Sequence, residues 1–247
     1  MIRTFEAVTS TQDEMKAWLR DEGARPFDAV FAHRQTHGRG RQGAEWISTE
    51  KNFFASIFLE PKDLPLTWVP LWLGLTTLEV LGEVGFHDSG IRLKWPNDLV
   101  IDRSGADAKL AGILCEKVEG GVVAGIGMNV MSAPMIQGRE TVSLASMADS
   151  PLSPEFGSKL LKLLIDHLKK EPRVEGLKQR FDRVSILVPG NELEWIDLVT
   201  GKGGQGTFEG LGAHGELLVR SLPDSKVESD SGILRLFSEE VRRLKRH

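Results

Sequence analysis

The chain has 247 residues, of which 40% are hydrophobic and 27% are charged, and its formal net charge at pH 7 is -4. A chain of this length and composition can bury one sizeable core, which excludes an intrinsically disordered protein, and its acidic balance argues against broad nucleic-acid binding. Its single cysteine, Cys115, excludes an intramolecular disulfide bond. The start of the chain lacks the apolar stretch of a secretory signal, and prolines and glutamates interrupt the longest apolar segment, 64–84, so we expect a cytoplasmic protein without a membrane span.

The first half of the chain predicts helices and strands in alternation. Apolar residues at helical spacing predict a helix over residues 12–21, and Thr11 and Glu14 stand at the spacing of a capping box at its start. The elements predicted next are strands over 29–35 and 53–59, a helix over 67–84 that ends at Gly85, and short strands over 91–94 and 99–101. Pro96 lies between the two short strands and cannot donate a hydrogen bond to a sheet, so the chain turns or reaches a sheet edge there.

The second half begins with a predicted β-hairpin and ends in short strands. Two apolar runs, 110–118 and 122–130, are joined by Glu119-Gly120-Gly121, which is a strong hairpin signal. The elements predicted after them are helices over 154–168 and 174–181 and short β runs over 193–199, 206–211, 216–222 and 232–237. We therefore predict an α+β fold in which a main domain, 1–187, has a mixed or antiparallel sheet with packed helices, and a small β-barrel, 188–247, follows it.

The most informative segment is the loop His37-Gly38-Arg39-Gly40-Arg41-Gln42-Gly43, which follows the strand predicted over 29–35. Its glycines allow close approach and positive φ angles, and each guanidinium can give a carboxylate or a phosphate two parallel hydrogen bonds. We therefore expect a small anionic ligand. The glycines also fit the dinucleotide pattern G-x-G-x-x-G, but the next segment reads as a strand, so no helix N-terminus is available for a pyrophosphate and we reject that interpretation.

Four further signals are weak when each is taken alone. Lys94-Trp95-Pro96-Asn97-Asp98 places a cation, an aromatic ring, an amide and a carboxylate on one turn, although a strand edge with exposed charges is the simpler interpretation. Lys109-Leu110-Ala111-Gly112-Ile113 is compatible with an ordinary exposed lysine. The glycines of Gly125-Ile126-Gly127-Met128-Asn129-Val130 mark either a bulge or the close approach of a ligand. Ser10-Thr11-Gln12 can cap the first helix or bind a polar ligand.

Two kinds of catalytic site are disfavoured by the sequence. The six histidines show neither metal-ligand spacing nor neighbouring cysteines, so a zinc or iron site held by the protein is not expected. Cys115 has no obvious base near it in the sequence, so a buried strand cysteine fits better than an acyl-carrying nucleophile.

The order of these motifs along the chain resembles that of the biotin–protein ligases, and the resemblance covers nearly the whole chain. It implies a catalytic domain of the class II synthetase-like type, followed by a C-terminal barrel of the SH3-like type. Enzymes of that family join biotin to ATP, with Mg²⁺ on the phosphates, to form biotinyl-5′-adenylate and pyrophosphate. They then pass the biotinyl group to one lysine of a biotin carboxyl carrier domain, so the resemblance implies an ATP-dependent biotin–[acetyl-CoA-carboxylase] ligase.

The same resemblance implies roles for individual residues. Joining a carboxylate to a triphosphate brings like charges together, which costs about 4 kcal/mol at ~4 Å and an effective dielectric of ~20, and cations at the meeting point remove that barrier. The implied catalytic residues are Lys109, Arg41, Arg39 and Asp98, of which Asp98 would assist the incoming carrier lysine. The implied biotin-binding residues are Ser10, Thr11, Gln12, Gln35, Gly38, Arg39, Gly40, Arg41, Lys109 and Gly112. The implied ATP-binding residues are Trp46, Lys94, Asn97 and Asn129, and Mg²⁺ would be held through ATP.

Two departures from the family pattern bear on function. Many of these ligases carry an arginine just after the final glycine of the loop, where this chain has Ala44. Loss of a charged hydrogen bond there would weaken ATP binding or slow adenylation by about 1–3 kcal/mol. The motifs begin at Thr9, with no helix-turn-helix before them, so we expect no repression of transcription.

Other functions are compatible with parts of the sequence. A lipoate or octanoate ligase or transferase shares the catalytic fold, and a non-catalytic biotin-binding module would need the biotin contacts but not Lys109 and the loop charges. Nucleic-acid binding by the loop is disfavoured by the acidic balance of the chain. Sheet edges could pair two copies in a homodimer, and neither the oligomeric state nor the identity of the carrier protein follows from the sequence.

Overall fold

The apolar runs of the first 130 residues pair into one sheet in the computed structural model, which describes residues 1–49, 51–103, 106–170, 172–198, 201–221, 232–239 and 241–246. The chain divides into two units, Met1–Arg173 and Val174–His247. The elements of the first unit are β1 (Ile2–Val8), α1 (Thr11–Glu22), β2 (Ala29–Gln35), β3 (Gly38–Arg39), β4 (Glu45–Trp46), β5 (Phe53–Leu59), α2 (Val69–Leu81), β6 (Ile91–Lys94), β7 (Asp98–Arg103), β8 (Ala106–Val118), β9 (Gly121–Met128) and α3 (Phe156–Leu168).

Seven of these strands form the main sheet, in the order β1-β2-β5-β9-β8-β7-β6. The β1–β2 pair is parallel and the other pairs are antiparallel, so the sheet is mixed, as the sequence analysis predicted. The predicted hairpin is confirmed as β8 and β9, which Glu119-Gly120 joins, and Gly120 adopts φ +76°. The turn at Pro96 is also confirmed, between β6 at the sheet edge and β7.

The two faces of the main sheet are covered differently. Helix α1 packs on one face, where Met15 and Trp18 form a buried cluster with Val30, Phe58 and Val123. Helix α2 packs on the opposite face, and α3 packs on α2. A Cβ at Gly74 of α2 would lie 2.7 Å from the Leu93 side chain, so the helix backbone approaches the sheet closely. The α1 face is therefore where polar groups at the helix start can meet the centre of the sheet.

Helix α2 is apolar on nearly every side. With its flanking turns it forms the 21-residue segment Leu66–Phe86. This segment contains an 18-residue window with a mean hydropathy of 1.2, which is long and apolar enough for a membrane span. However, 61% of that window is buried inside the structure, as in the core helix of a soluble protein. Pro70 lies in the first turn of α2, where its missing N–H costs nothing, so this proline does not interrupt the helix. Packing between the sheet and α3 accounts for the composition of α2.

The prediction of a capping box at Thr11 and Glu14 is wrong. Ser10 is the N-cap of α1, and no side-chain cap bond is present there. The side chain of Thr11 is buried instead of facing outward, and its N–H and hydroxyl both donate to Gln35 Oε1, at 2.7 and 3.1 Å. A partner on the neighbouring strand therefore replaces the local cap, because α1 begins on top of the sheet rather than at its surface.

The second unit holds an antiparallel sheet. Its elements are α4 (Val174–Val184), β10 (Glu192–Asp197), β11 (Gly203–Leu211), β12 (Leu217–Ser221), β13 (Ile233–Leu236) and β14 (Val241–Arg246). The sheet order is β13-β12-β11-β10-β14, and Trp195, Phe208 and Val219 are buried in it. This arrangement is consistent with an SH3-like domain, although no pairing among the described strands closes a barrel. Residues 199 and 222 of the predicted strands lie outside the described residues, and the domain limits 1–187 and 188–247 stay a prediction.

Replacing Leu73 by alanine should lower the free energy of unfolding by about 2–5 kcal/mol, because this α2 side chain is fully buried and its truncation leaves a cavity. Urea-induced unfolding followed by tryptophan fluorescence measures the change. Met135→Ala is the matched control, since Met135 is 100% exposed and its truncation should change the free energy by less than about 0.5 kcal/mol. Equal losses in the two variants would contradict the placement of α2 in the core.

Candidate functional site

Three glycines at the centre of the main sheet leave its α1 face bare. Gly112 and Gly127 are opposite each other on β8 and β9, and Gly125 lies two residues along β9, so all three share one face. A Cβ at Gly112 or Gly127 would lie 2.8 or 2.9 Å from the indole ring of Trp46. A Cβ at Gly125 would lie 3.0 Å from the amide of Gln12. Side chains and a ligand can therefore lie directly against the backbone of this face.

A bulge in β8 brings Lys109 onto the same face. The consecutive β7 residues Leu99 and Val100 pair with Ala111 and Lys109, so one residue of β8 is skipped. Lys109 stands three residues from Gly112, so in a strand of regular register its side chain would point to the opposite, α2 side of the sheet. With the shift, its Nζ lies 3.1 Å from the position of a Gly112 Cβ. The bulge thus re-aims the lysine into the site.

The Lys109 ammonium lies between a carboxylate and an aromatic ring. Its Nζ is 2.7 Å from Asp98 Oδ1 and 5.2 Å from the centroid of the Trp46 ring. The contact with Asp98 is an ion pair rather than a well-directed hydrogen bond. At these distances the ammonium is attracted both by the carboxylate charge and by the face of the aromatic ring. The Lys109 and Asp98 side chains are 17% and 25% exposed, so both are reachable from solvent. The sequence interpretation of Lys109 as an ordinary exposed lysine therefore does not hold.

The glycine–arginine loop folds back beside Trp46. Strands β3 and β4 pair Gly38 with Trp46 and Arg39 with Glu45, and Gly40 N donates to the carbonyl of Ala44 at 2.6 Å. A Cβ at Gly38 would lie 2.8 Å from the Trp46 carbonyl, so this glycine is required by close approach. Gly43 adopts φ +74° at the end of the 3₁₀ turn Arg41–Gly43, where a left-handed backbone favours glycine. The loop is therefore a closed, hydrogen-bonded turn at the edge of the bare face.

The two arginines of the loop point in different directions. Arg41 donates from Nη1 to Asn97 Oδ1 at 3.3 Å, and Asn97 Nδ2 in turn donates to the Ile113 carbonyl at 2.6 Å. Arg39 Nη2 lies 2.6 Å from Asp13 Oδ1. Arg41 thus contacts the β6–β7 turn next to Asp98, whereas Arg39 reaches across to helix α1.

The start of α1 supplies buried polar atoms. Ser10, Thr11 and Gln12 are 1%, 3% and 4% exposed. Thr11 is satisfied by Gln35 and by Ser56, whose hydroxyl donates to it at 2.9 Å. The hydroxyl of Ser10 and Oε1 of Gln12 are buried and have no hydrogen-bond partner within the described part of the chain. Buried polar atoms are nearly always paired, so these two atoms are expected to meet a polar ligand.

The remaining predicted residues lie around Lys109. Asn129 is 2% exposed, and its Nδ2 donates to the carbonyls of Val142 and Lys109 at 3.2 and 3.4 Å. Its Oδ1, like Nε1 of Trp46, is buried with no hydrogen-bond partner among the described residues. Lys94 Nζ pairs with Asp107 Oδ2 at 2.7 Å, and the backbone of Lys94 is opposite Asp98 across the β6–β7 hairpin. The structure therefore brings Lys109, Asp98, Trp46 and Gly112 into direct contact, and Lys94 stands at their margin.

Sequence reasoning missed three residues that organise the site. Asn52 is buried, and its Oδ1 accepts hydrogen bonds from the N–H groups of Val130 and Met131, both at 2.9 Å, which fixes the chain just after Asn129. Asp13 and Glu116 both contact Arg39. An isolated asparagine and two carboxylates among many carry no local signal, because their partners are distant in the sequence.

Cys115 is not an activated nucleophile. Because strand positions alternate between faces, it points to the side of the sheet opposite the three glycines. The residue is partly rather than fully buried, and its desolvation there, followed by the negative charge of Glu116, raises the pKa of the thiol to about 12. The described residues also contain no group of three or more histidine, cysteine, aspartate or glutamate side chains that could hold a metal ion. Neither covalent thiol chemistry nor a protein-only metal centre is supported.

The sequence of the first unit is similar to known proteins. Residues 4–131 match the Biotin/lipoate A/B protein ligase family. The chain is 35% identical over 141 residues to the biotin--[acetyl-CoA-carboxylase] ligase of Mycobacterium tuberculosis, covering 55% of this chain and 52% of that protein. It is 34% identical over 112 residues to the protein of the same name from Paracoccus denitrificans, covering 42% and 45%. The chain spans about half the length of the curated relatives that it matches.

Solved structures match the chain over nearly its full length. The biotin protein ligase from Aquifex aeolicus in complex with biotin and ATP gives a TM-score of 0.77 at 27% identity, covering 100% of this chain and 99% of that one. The biotin protein ligase from Leishmania major in complex with biotinyl-5-AMP gives 0.65 at 25% identity, covering 95% and 98%. The similarity thus extends over both units.

Alkylation of Cys115 should be slow at neutral pH. With its pKa raised to about 12, only about one thiol in ten thousand is ionised at pH 8, against about a quarter for an ordinary cysteine. Iodoacetamide should therefore react with Cys115 about a thousandfold more slowly than with glutathione, and the rate should rise about tenfold per pH unit up to pH 11. A rate at pH 8 equal to that of glutathione would contradict this placement of the thiol.

Proposed function

The chain belongs to the biotin/lipoate A/B protein ligase family, and from this membership we propose that it is a biotin–protein ligase. It joins the carboxylate of biotin to the α-phosphate of ATP, which forms biotinyl-5′-AMP and releases pyrophosphate. It then transfers the biotinyl group to one lysine of a biotin carboxyl carrier domain of acetyl-CoA carboxylase or a related carboxylase. The relatives named biotin--[acetyl-CoA-carboxylase] ligase and the ligand-bound biotin protein ligases support this proposal.

The position of Lys109 is the observation that carries the proposal. Its ammonium stands at the edge of the bare glycine face, 2.7 Å from Asp98 and 5.2 Å from the Trp46 ring centroid. The first step brings a carboxylate against a phosphate, and like charges at ~4 Å repel by about 4 kcal/mol at an effective dielectric of ~20. A lysine fixed beside the meeting point offsets this repulsion without reorganising during the reaction.

The polar start of α1 suits the ureido ring of biotin, which carries one carbonyl and two N–H groups. The Ser10 hydroxyl would donate to the ureido carbonyl, and Gln12 Oε1 would accept from a ureido N–H. Thr11 and Gln35 hold each other in place next to these groups. Gly112 and its glycine neighbours let Trp46 and Gln12 lie directly against the sheet, and the apolar part of biotin would pack beside these side chains.

The loop and the β6–β7 turn would bind the nucleotide side of the adenylate. Gly38 and Gly40 let the loop close tightly, and closure would shield the reactive anhydride from water. Arg41 and Asn97, which contact each other, would face the phosphate. Trp46 would form an apolar wall for the nucleotide, and Lys94 would reach it by exchanging Asp107 for a phosphate oxygen. Ala44 lies in this loop, where an arginine would add a charge.

Magnesium is proposed to enter with ATP, where it neutralises phosphate charge. Mg²⁺ sites of nucleotide enzymes take only one or two oxygens from the protein and the rest from phosphates and water. The buried, unpartnered Oδ1 of Asn129 fits such a site, and Asp98 is the carboxylate nearest Lys109. These residues would contact the metal only while it is bound to ATP.

The second step needs the carrier lysine as a neutral amine. Its nitrogen attacks the acyl carbon of biotinyl-5′-AMP, AMP leaves with the bonding electron pair, and the amine loses a proton. Asp98 is the proposed acceptor of that proton, because it is partly exposed beside Lys109.

A cytoplasmic location, the absence of nucleic-acid and membrane partners, and a possible homodimer stay predictions.

ATP–pyrophosphate exchange tests the first step. With biotin as the only acid, the wild-type protein should catalyse exchange, and Lys109→Ala should lose at least about 10²-fold because the charge that offsets carboxylate–phosphate repulsion is gone. Lys117→Ala is the control, since Lys117 lies on the same strand and is exposed. Exchange with lipoate or octanoate in place of biotin would assign the protein to the other branch of the family. Biotin binding without exchange would show that the protein is a non-catalytic biotin-binding module.

Asp98→Asn separates the second step from the first. The variant should keep most of its ATP–pyrophosphate exchange, since an amide oxygen can still face Mg²⁺, but lose about 10²–10⁴-fold in transfer to a biotin carboxyl carrier domain, because the amide cannot accept a proton. Transfer is measured with pre-formed biotinyl-5′-AMP and a carrier domain by mass spectrometry. Equal losses in both steps would show that Asp98 acts by holding Lys109 rather than by assisting the amine.

A further inference from the structure

We propose that Glu116 is a positioning residue that connects closure of the glycine–arginine loop to the orientation of Gln12 in the biotin pocket. The inference rests on the proposed function and concerns a carboxylate outside the residues proposed above to bind either substrate. Glu116 lies on β8 and shares the bare glycine face, because it stands four residues from Gly112 on the same strand.

One carboxylate serves three partners. Glu116 Oε2 accepts from Gln12 Nε2 at 3.0 Å and from Arg39 Nη2 at 3.4 Å. Its Oε1 lies 2.8 Å from Lys16 Nζ. The Glu116 side chain is 27% exposed, so these contacts are screened less than those of a fully solvated pair. Glu116 is therefore the point at which β8, α1 and the loop meet.

The contacts of Gln12 decide which end of its amide faces the pocket. Its Nε2 donates to Glu116 and to the carbonyls of Leu114 and Val123, at 3.0, 3.1 and 3.4 Å. All three partners are acceptors, so a flipped amide would place Oε1 against them and would be repelled most strongly by the charged one. Oε1 is consequently left buried without a partner among the described residues, ready to accept a hydrogen bond.

Arg39 is held to the body of the unit by two carboxylates. Its Nη2 lies 2.6 Å from Asp13 and 3.4 Å from Glu116, although its side chain is 41% exposed. Asp13 follows Gln12 directly in α1. Arg39 therefore acts as a latch of the loop, and the latch shares Glu116 with the amide that orients the ligand.

Sharing one carboxylate makes closure and binding depend on each other. When the loop is closed, Arg39 helps to keep Glu116 against Gln12, and a ligand that bonds to Gln12 Oε1 favours the arrangement in which Glu116 accepts from both. Coupling of this kind is reciprocal, so a bound ligand also shifts the equilibrium of the loop toward its closed state. The expected result is slow release of biotinyl-5′-AMP before transfer.

The experiment measures the equilibrium dissociation constant of biotin and the release rate of biotinyl-5′-AMP for four proteins. Glu116→Gln removes the charge but keeps the shape, so adenylate release should be about 3–10-fold faster and biotin binding about 2–5-fold weaker. Asp13→Asn weakens the latch but leaves Glu116 on Gln12, so release should speed up while biotin binding weakens less than in Glu116→Gln. Glu22 lies in the same helix as Asp13, and Glu22→Gln, which removes only an ion pair with Arg3 of β1, should match wild type in both.

The outcomes separate this inference from the proposed function. Wild-type protein that neither binds biotin nor forms the adenylate would overturn the proposed function. A second outcome is that the wild type is active and Glu116→Gln matches Glu22→Gln in both biotin affinity and adenylate release. That result would overturn the role of Glu116 and leave the proposed function standing. Equal effects of Glu116→Gln and Asp13→Asn on biotin affinity would also overturn the role of Glu116 in orienting Gln12. Should Glu116→Gln fail to fold, unchanged release from Asp13→Asn would still overturn the latch.

Discussion

The ion pair between Lys109 and Asp98 depends on one bulged residue in β8, and most of the site is arranged around it. The bulge places the lysine on the side of the sheet where Gly112, Gly125 and Gly127 leave the backbone bare. Trp46 then packs on two of these glycines and lies within cation–π distance of the lysine. A sheet in regular register would send the same lysine to the α2 side, away from the loop.

Charge in the site is distributed rather than concentrated. Each cation already has a protein partner: Lys109 has Asp98, Lys94 has Asp107, and Arg39 has Asp13 and Glu116. Binding of an anionic substrate therefore exchanges one set of partners for another instead of neutralising isolated charges. Such an exchange keeps the free protein stable, because a half-buried cation without a partner would be costly.

The beginning of α1 illustrates the opposite arrangement. The Ser10 hydroxyl and Gln12 Oε1 are buried without partners in the described residues, although Thr11 between them is fully satisfied. Leaving two buried polar atoms unpaired lowers the stability of the free protein, by about 1–3 kcal/mol for each. A ligand that satisfies both recovers this free energy on binding, which favours ligands with a donor and an acceptor at the same end.

The sequence alone determined the elements and motifs that depend on local chemistry: the β8–β9 hairpin with Gly120-Gly121, the strands on either side of Pro96, the apolar helices, and the glycine–arginine loop. It also identified Lys109, Trp46 and Gln12 as members of one set through the order of the motifs. Only the tertiary structure decided the contacts between them. The capping box expected at Thr11 was lost to Gln35 on a neighbouring strand, Lys109 was turned by a bulge, and Asn52, Asp13 and Glu116 acquired roles from partners up to 104 residues away. Periodicity and turn chemistry act within a few residues, whereas register and packing between strands fix where each side chain finally points.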